Sequence, residues 1–298
     1  MRKWAGLLIL LLSLGLVLAA CGSDSEEPSD SGDSASTDTE ATDREASSGG
    51  VLNIAVSAQP PTLDTHLTTA IVALDVTRNI FETLVTLNGE FEAVPMLAES
   101  IDVSDDGLTY TFKLREGIKF HNGKEMTAED VVASMNRWLE KSSRAVMLLA
   151  GASFEEVDTY TVQLNLQERA TDTLDIMAGQ GQFAAIMPKE VIESAGEDGV
   201  QEIIGTGPFK FKEWKQDQYI HLVKYDEYQP RDEEPSGYAG RKEALVDDLY
   251  YHIVTDTSTR IAGLQTGEYH IAEQIAPDNY EQLLNTDGIV AHTYLAGT

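Results

Sequence analysis

A single cysteine, Cys21, stands in 298 residues. That scarcity excludes a disulfide framework and any Cys-rich zinc module. Basic residues are also few, 21 Lys and Arg against 50 Asp and Glu, and the formal net charge is −29. A surface that negative repels phosphate backbones, so nucleic acid is not an expected partner. The six histidines are scattered, and none forms an H-E-x-x-H pair or a short cluster, so no metal ligand is expected. Gly205-Thr206-Gly207 lacks the Lys-Ser/Thr of a phosphate loop, and Gly179-Gln180-Gly181 lacks the third glycine of a dinucleotide fingerprint. No serine occupies a G-x-S-x-G elbow. Carboxylates are so abundant that pairs of them carry no signal. Nothing in these residues argues for a catalytic residue, a metal or a cofactor, and no enzyme is expected on their account. What is present is 42% apolar residues in a length that holds one or two domains of roughly 150 residues.

The amino terminus points to a compartment. Arg2 and Lys3 precede an apolar run from Leu7 to Leu18, interrupted by Ser13 and Gly15. The run is short for a membrane span, which needs about 20 residues. Leu18-Ala19-Ala20-Cys21 follows and resembles the lipobox of bacterial lipoproteins. The resemblance implies cleavage after Ala20, residues 1–20 being a signal peptide, and lipidation of Cys21 with the acyl chains in the membrane. Residues 22–50 contain no aromatic and no Leu, Ile or Val, with nine acidic residues and Arg44 as the one base. Such composition cannot offset chain entropy by burial, so residues 21–50 are expected to be a disordered acidic tether.

From Val51 the pattern becomes that of a folded chain. Val51–Val56 predicts a buried strand running into the two-proline loop Ser57–Asp64. The spacing over Ala70–Leu84 predicts a helix. Leu84–Leu87 begins a strand, and Asn88-Gly89 marks a hairpin. Thr109–Leu114 and Thr161–Leu166 alternate with period two. Thr127 and Asp130 form a variant capping box ahead of Val131, Val132, Met135 and Trp138. Pro208–Trp214, His221–Tyr225 and Leu249–Val254 predict strands, and Thr257–Thr266 predicts a helix stopped by Gly267. Strands and helices alternate without a regular βαβ beat, so the fold class is α/β or mixed α+β with mixed sheets.

Within that frame, Ala98–Ser100 and Leu108–Gly123, continuing through Met126–Val132, resemble the signature of the family 5 extracellular solute-binding proteins of ABC importers. Gln59–Asp64, Gly205–Phe209, and Arg260 with Leu264–Tyr269 resemble further landmarks of the same family, in the same order; His270 stands where the family often has Asp. Read by themselves, the signature residues have structural roles: Phe112 and Leu114 as core, Gly117 and Asn122-Gly123 as turns, and His121 as a capping or packing residue beside that turn.

The resemblance implies a periplasmic-binding-protein-like type II (cluster C) fold. It places a discontinuous first lobe at 51–85 and 189–298, and an extra domain at 86–188. The second clamping lobe would follow, and the chain resembles the amino-terminal part of such a protein. The implied function is a lipid-anchored receptor on the extracytoplasmic face of the cell membrane. It would capture a di- or oligopeptide and pass it to an ABC permease and its ATPase subunits. Nickel, opine, sugar and glutathione-like solutes are alternatives on the same scaffold, as is a signalling or adhesive lipoprotein. Gln59, Pro60 and Thr62 in the first loop, Gln182 and Phe183 near the crossover, and Gly205 and Thr206 near the cleft floor are the implied ligand contacts. Pro60-Pro61 as a stiffened turn and Phe183 as core are the competing readings of those positions.

Overall fold

The computed structural model describes residues 48–293, so Cys21 and the expected tether lie outside the described residues. Strand β1 is Val51–Val56, the apolar run read from sequence, with Ile54, Ala55 and Val56 buried. Helix α1 spans Ile71–Thr77 and stops well short of Leu84. Thr77 Oγ1 donates back to the Ala73 carbonyl at 2.7 Å. Beyond it, the carbonyls of Asn79 and Ile80 accept from the Phe209 and Gly207 amides at 3.0 and 2.8 Å. Those acceptors serve a segment far along the chain, so they cannot continue an i→i−4 ladder. Ile80, Phe81 and Leu84 remain core, but from an extended segment.

Strands β2 (Val85–Leu87) and β3 (Ala93–Pro95) form the hairpin signalled by Asn88-Gly89. Its loop is longer than two residues. Asn88 Oδ1 accepts from both the Glu90 and Glu92 amides, and Phe91 takes a φ of 64°. Strands β4 (Ala98–Val103) and β5 (Thr109–Leu114) turn at Gly107, which has a φ of 70°. Along β5, Tyr110, Phe112 and Leu114 are buried, while Lys113 between them is exposed.

Helix α2 (Ala128–Lys141) opens on the capping box, with the Thr127 amide donating to Asp130 Oδ2 at 3.0 Å. Val131, Met135 and Trp138 form its buried stripe at helical spacing. Next come α3 (Ser143–Leu148), β6 (Ser153–Asp158), β7 (Thr161–Asn165), α4 (Thr173–Ala178) and α5 (Lys189–Glu193). Then follow β8 (Phe209–Lys215), β9 (Tyr219–Lys224), β10 (Asp248–Ile253), α6 (Thr257–Thr266), β11 (Ile271–Ala272) and α7 (Tyr280–Leu284).

The strands make two main sheets. One has the order β11-β1-β10-β9-β8, with β1 parallel to both β10 and β11 and the remaining pairs antiparallel. The other is wholly antiparallel, in the order β4-β5-β7-β6. Each sheet backs its own core. Phe112, Phe120, Trp138 and Phe154 fill the space between the antiparallel sheet and α2. Ile54, Val56, Phe81, Ile220, Leu222 and Tyr251 belong to the core of the mixed sheet, and Ile204 packs against both cores.

The segment 115–125, the heart of the signature, is a seam between the two cores. Arg115 donates to the Gln229 and Pro230 carbonyls at 3.0 and 2.9 Å, and Gln229 donates to the Gly117 carbonyl at 2.9 Å. The Tyr225 hydroxyl donates to the Phe120 carbonyl at 2.9 Å. His121 is a loop clamp: Nε2 donates to the Gly207 carbonyl at 2.9 Å and Nδ1 accepts from the Gly205 amide at 3.3 Å. That pairing requires a neutral ring, and burial accordingly pushes the His121 pKa down to about 4.

Candidate functional site

Strands β10, β1 and β11 run parallel, so their carboxyl ends open on one edge of the sheet. In open α/β sheets that edge is where ligands bind. Arg260, buried on α6, organises it. Its guanidinium donates to the carbonyls of Val254 (2.6 Å) and Thr255 (3.1 Å) after β10, and of Glu273 (3.2 Å) and Gln274 (3.1 Å) after β11. A planar fork of five donors suits that bridging, which a lysine could not reproduce. The helix that presents it is capped at both ends. Asp256 Oδ1 accepts from the Thr259 amide at 2.7 Å, and Gly267 closes the last turn at a φ of 77°. Ser57 Oγ bonds Gln274 Oε1, tying the loop after β1 to the loop after β11.

The seven residues implied by resemblance fall in three places. Gln59, Pro60 and Thr62 sit on the loop after β1. Gln59 Oε1 accepts from the Asp217 amide at 2.6 Å, Pro60 is buried, and Thr62 Oγ1 accepts from the Asp64 amide at 3.0 Å. Gln182 faces the other way, its Oε1 accepting from Ser143 at 3.0–3.1 Å and its Nε2 donating to the His66 carbonyl at 3.2 Å. Phe183, 4% exposed, belongs to the core of the mixed sheet and also lines a cleft. Gly205 packs against backbone so closely that a Cβ there would lie 2.2 Å from the Ile80 carbonyl oxygen. Thr206 Oγ1 donates to Glu82 Oε2 at 2.9 Å, and Glu82 lines the same cleft as Phe183. The structure therefore puts Phe183 in the wall of the cleft, reaches it from Thr206 only through Glu82, and leaves the Gln59 loop on the sheet edge.

A polar hub missed in the sequence anchors that loop. Asp64 Oδ1 accepts from Arg137 Nη1 at 3.0 Å and from the His66 amide at 3.1 Å; Oδ2 accepts from Arg137 Nη2 and from the Val200 amide at 3.0 Å. Arg137 Nη1 also donates to His66 Nδ1 at 3.0 Å, and His66 Nε2 donates to the Ala185 carbonyl at 3.0 Å. All three side chains are buried. Burial pushes the Asp64 carboxyl up, but the hydrogen bonds and charge of Arg137 outweigh it, and the net shift is downward. Burial lowers His66 to about 4.

The cleft, of about 490 Å³, lies between α1, the segment 81–86, the loop 235–243 and Glu273. Glu273 joins it to the sheet edge, since its carbonyl is held by Arg260 while its side chain lines the cleft. Arg78 donates to Asp75 Oδ1 at 3.1 Å and to Gln180 Oε1 at 3.2 Å, and its guanidinium lies 4.7 Å from the centroid of the Tyr238 ring. Glu82 is buried and accepts from the Thr206 and Tyr228 hydroxyls, each at 2.9 Å. The Tyr251 hydroxyl accepts from Asn79 Nδ2 at 2.9 Å and donates to the Asp75 carbonyl at 3.0 Å. Burial, then the charge of Asp75, pushes the Glu273 carboxyl up to about 7, and burial lowers the pKa of Lys242. Apolar walls with a few fixed charges suit recognition of a small polar molecule. Among the described residues, no group of three His, Cys, Asp or Glu side chains is placed to hold a metal ion.

Comparison with known proteins gives this geometry a family. Residues 92–297 match the family described as bacterial extracellular solute-binding proteins, family 5 Middle. A probable peptide ABC transporter periplasmic-binding protein, y4tO of Sinorhizobium fredii, is 34% identical over 210 residues, covering 69% of this chain and 39% of the relative. The glutathione-binding protein GsiB of Salmonella paratyphi A is 31% identical over 232 residues, covering 77% of this chain and 42% of the relative. The solved structure of the oligopeptide-binding protein AppA of Bacillus subtilis, in complex with a nonapeptide, superposes with a TM-score of 0.68 at 26% identity, covering 82% of this chain and 47% of that one. The chain thus spans half or less of the length of these relatives. Its mixed α/β architecture is that of periplasmic binding proteins, and by the match over 92–297 the chain belongs to the family 5 bacterial extracellular solute-binding proteins.

Proposed function

We propose that this protein is the solute receptor of a peptide-type ABC importer, which captures a di- or oligopeptide outside the cytoplasm and hands it to a membrane permease with its ATPase subunits. Its work in this reading is binding and delivery, not catalysis. The observation that carries the reading is the parallel-strand edge clamped by Arg260 and bordered by a charged cleft, on a chain of this family. Residues 51–85 with 189–298 serve as one clamping lobe and 86–188 as an extra domain. In support, the two cores exchange chain near Leu84–Val85 and again between Ala184 and Met187. The Gln59 loop, Phe183 and Thr206 face or border the solute, and Gln182 and Gly205 hold their surroundings. Native mass spectrometry with a tripeptide library, free amino acids, glutathione and an opine tests the reading. Binding of peptides in preference to free amino acids is expected. Retention of the opine alone would overturn it.

The GsiB relative favours a second reading, in which the preferred peptide is glutathione itself. The glutathione arm of the same experiment separates the two. Attachment is proposed through a lipid on Cys21, on the strength of Leu18-Ala19-Ala20-Cys21. Among the described residues no helix is long and apolar enough to cross a membrane. Cys21→Ser should shift the protein out of the membrane fraction and abolish incorporation of labelled palmitate. Retention of both would sink the anchor.

A further inference from the structure

The antiparallel sheet ends on β6, which among the described residues has β7 on one side and no strand on the other. Such an edge presents N–H and C=O groups that a further strand can pair with. Along an antiparallel pair, residues alternate between bonding the one opposite and pointing their backbone groups outward. Phe154 lies opposite Leu164, Glu155 opposite Gln163 and Glu156 opposite Val162. Phe154 points outward, since its amide donates to Asn136 Oδ1 at 2.8 Å and its carbonyl accepts from Asn136 Nδ2 at 2.9 Å. By the same alternation Glu156 points outward too. Asn136 sits inside α2, where asparagine is a poor helix former. Its carboxamide carries the donor and the acceptor of a peptide unit, and it takes the place that such a unit would occupy in an added strand. The other end of the sheet is held differently: Arg231 donates to the Met96 and Ala98 carbonyls at 2.9 and 3.0 Å, which covers acceptors only.

Past Phe154, residues Glu155 to Asp158 are exposed, three of the four are acidic, and the register shifts between Glu156 and Asp158. Charge and a bulge both discourage pairing at an edge. Without Asn136, Phe154 and Glu156 would together offer two outward donors and two outward acceptors, the repeat on which an antiparallel ladder is built.

We infer that Asn136 closes the β6 edge against strand addition, and that the partner it keeps out is a second copy of this chain. A two-fold axis sets β6 antiparallel to its own copy, so the edge is complementary to itself. The carboxylates of Glu155, Glu156 and Asp158 oppose that pairing while they are unscreened, whereas Asn136 opposes it at any salt concentration. The inference stands apart from the receptor reading.

The test compares the full chain with Asn136→Ala by sedimentation velocity in a mild detergent, at ~0.5 M NaCl, which screens the repulsion between two acidic chains. As concentration rises, the wild type should stay monomeric and Asn136→Ala should move to dimer. Glu156→Pro removes an outward donor from the same edge. Combined with Asn136→Ala it should restore the monomer without restoring stability. Val132→Ala, which loses packing from the same helix, should stay monomeric. Equal association of wild type and Asn136→Ala, including none in either, overturns the inference. So does association that persists with Glu156→Pro or that Val132→Ala shows equally. Where circular dichroism finds Asn136→Ala unfolded, hydrogen exchange in the wild-type chain decides. The Phe154 amide should exchange at least about tenfold more slowly than that of Glu156, and equal rates overturn the inference.

Discussion

Asp64, His66 and Arg137 are three charged or chargeable side chains placed where water does not reach, and their mutual satisfaction is what makes the arrangement tolerable. A buried ion pair is not in itself strongly stabilising, but removing one partner strands the other. Arg137→Met should therefore cost about 3–5 kcal/mol, read as a lower urea midpoint. The same hub makes stability depend on pH. His66 titrates near 4 in the folded chain and near its ordinary 6.5 when unfolded. Between those values the unfolded state holds the extra proton, so stability falls as pH drops from 6.5 towards 4, by up to the order of 3 kcal/mol. His121, also held near 4, acts in the same direction. Asp64, held below its ordinary value, adds stability above the unfolded pKa that is lost as pH falls through the folded one. Glu273 opposes them, since a carboxyl raised to about 7 favours the folded state as pH falls from 7 towards its unfolded value. Urea unfolding at several pH values should show a net decline below pH 6.5. His66→Gln, which can keep the bonds to Ala185 and Arg137, should make the decline shallower and leave the part that His121 and Asp64 supply; an identical slope in that variant would refute the assignment.

At the scale of elements, the ends of helices decide more than their middles. The amino terminus of α2 rests on Asp130, fully buried, which accepts from the Thr127 amide at 3.0 Å, the Lys189 amide at 2.8 Å and Lys124 Nζ at 2.7 Å. One carboxylate thus caps α2 and fixes the start of α5 against it. Asp130→Ala removes a cap worth ~1 kcal/mol and orphans a second backbone donor, so a loss of about 3 kcal/mol is expected by thermal unfolding. Asp130→Asn, which keeps one oxygen acceptor, should lose less. Equal losses in both variants would show that shape rather than hydrogen bonding holds this end. Helix α1 shows the opposite case. Its apolar pattern continues past Thr77, yet the Asn79 and Ile80 carbonyls are taken by Phe209 and Gly207, and the chain is drawn out of the helix to reach them. The two glycines at 205 and 207 permit that approach, because a Cβ on either would lie within 3 Å of backbone atoms of Asn79 or Ile80.

For the molecule as a whole, the two cores are joined by the signature seam at 115–125 and by the Asp64 hub, which draws on the loop after β1, α2, the crossover at Ala185 and the amide of Val200. Losing either core would expose buried polar partners belonging to the other. A single calorimetric transition is therefore expected for the folded body, with van't Hoff and calorimetric enthalpies equal. Two resolved transitions would mean that the seam is weaker than its hydrogen bonds imply.

Strands β1 and β5, the capping box of α2 and the extent of α6 were legible in the residues alone. Each rests on local geometry: side chains alternate along a strand, recur every 3.6 residues on a helix, and a cap acts within three residues of the end it closes. Arg260 was legible as a landmark, though its grip on four carbonyls was not. The cleft could not be read in advance. Asp75, Arg78, Lys242 and Glu273 look like surface charge in so acidic a chain, and nothing in their spacing distinguishes them from other carboxylates and cations. Whether a charge is solvated, paired or stranded depends on which groups the fold brings within a few ångströms through space. Only the packing of α1 against the loop 235–243 and the end of β11 determined that Arg78 would find Asp75 and that Lys242 and Glu273 would line the same cleft.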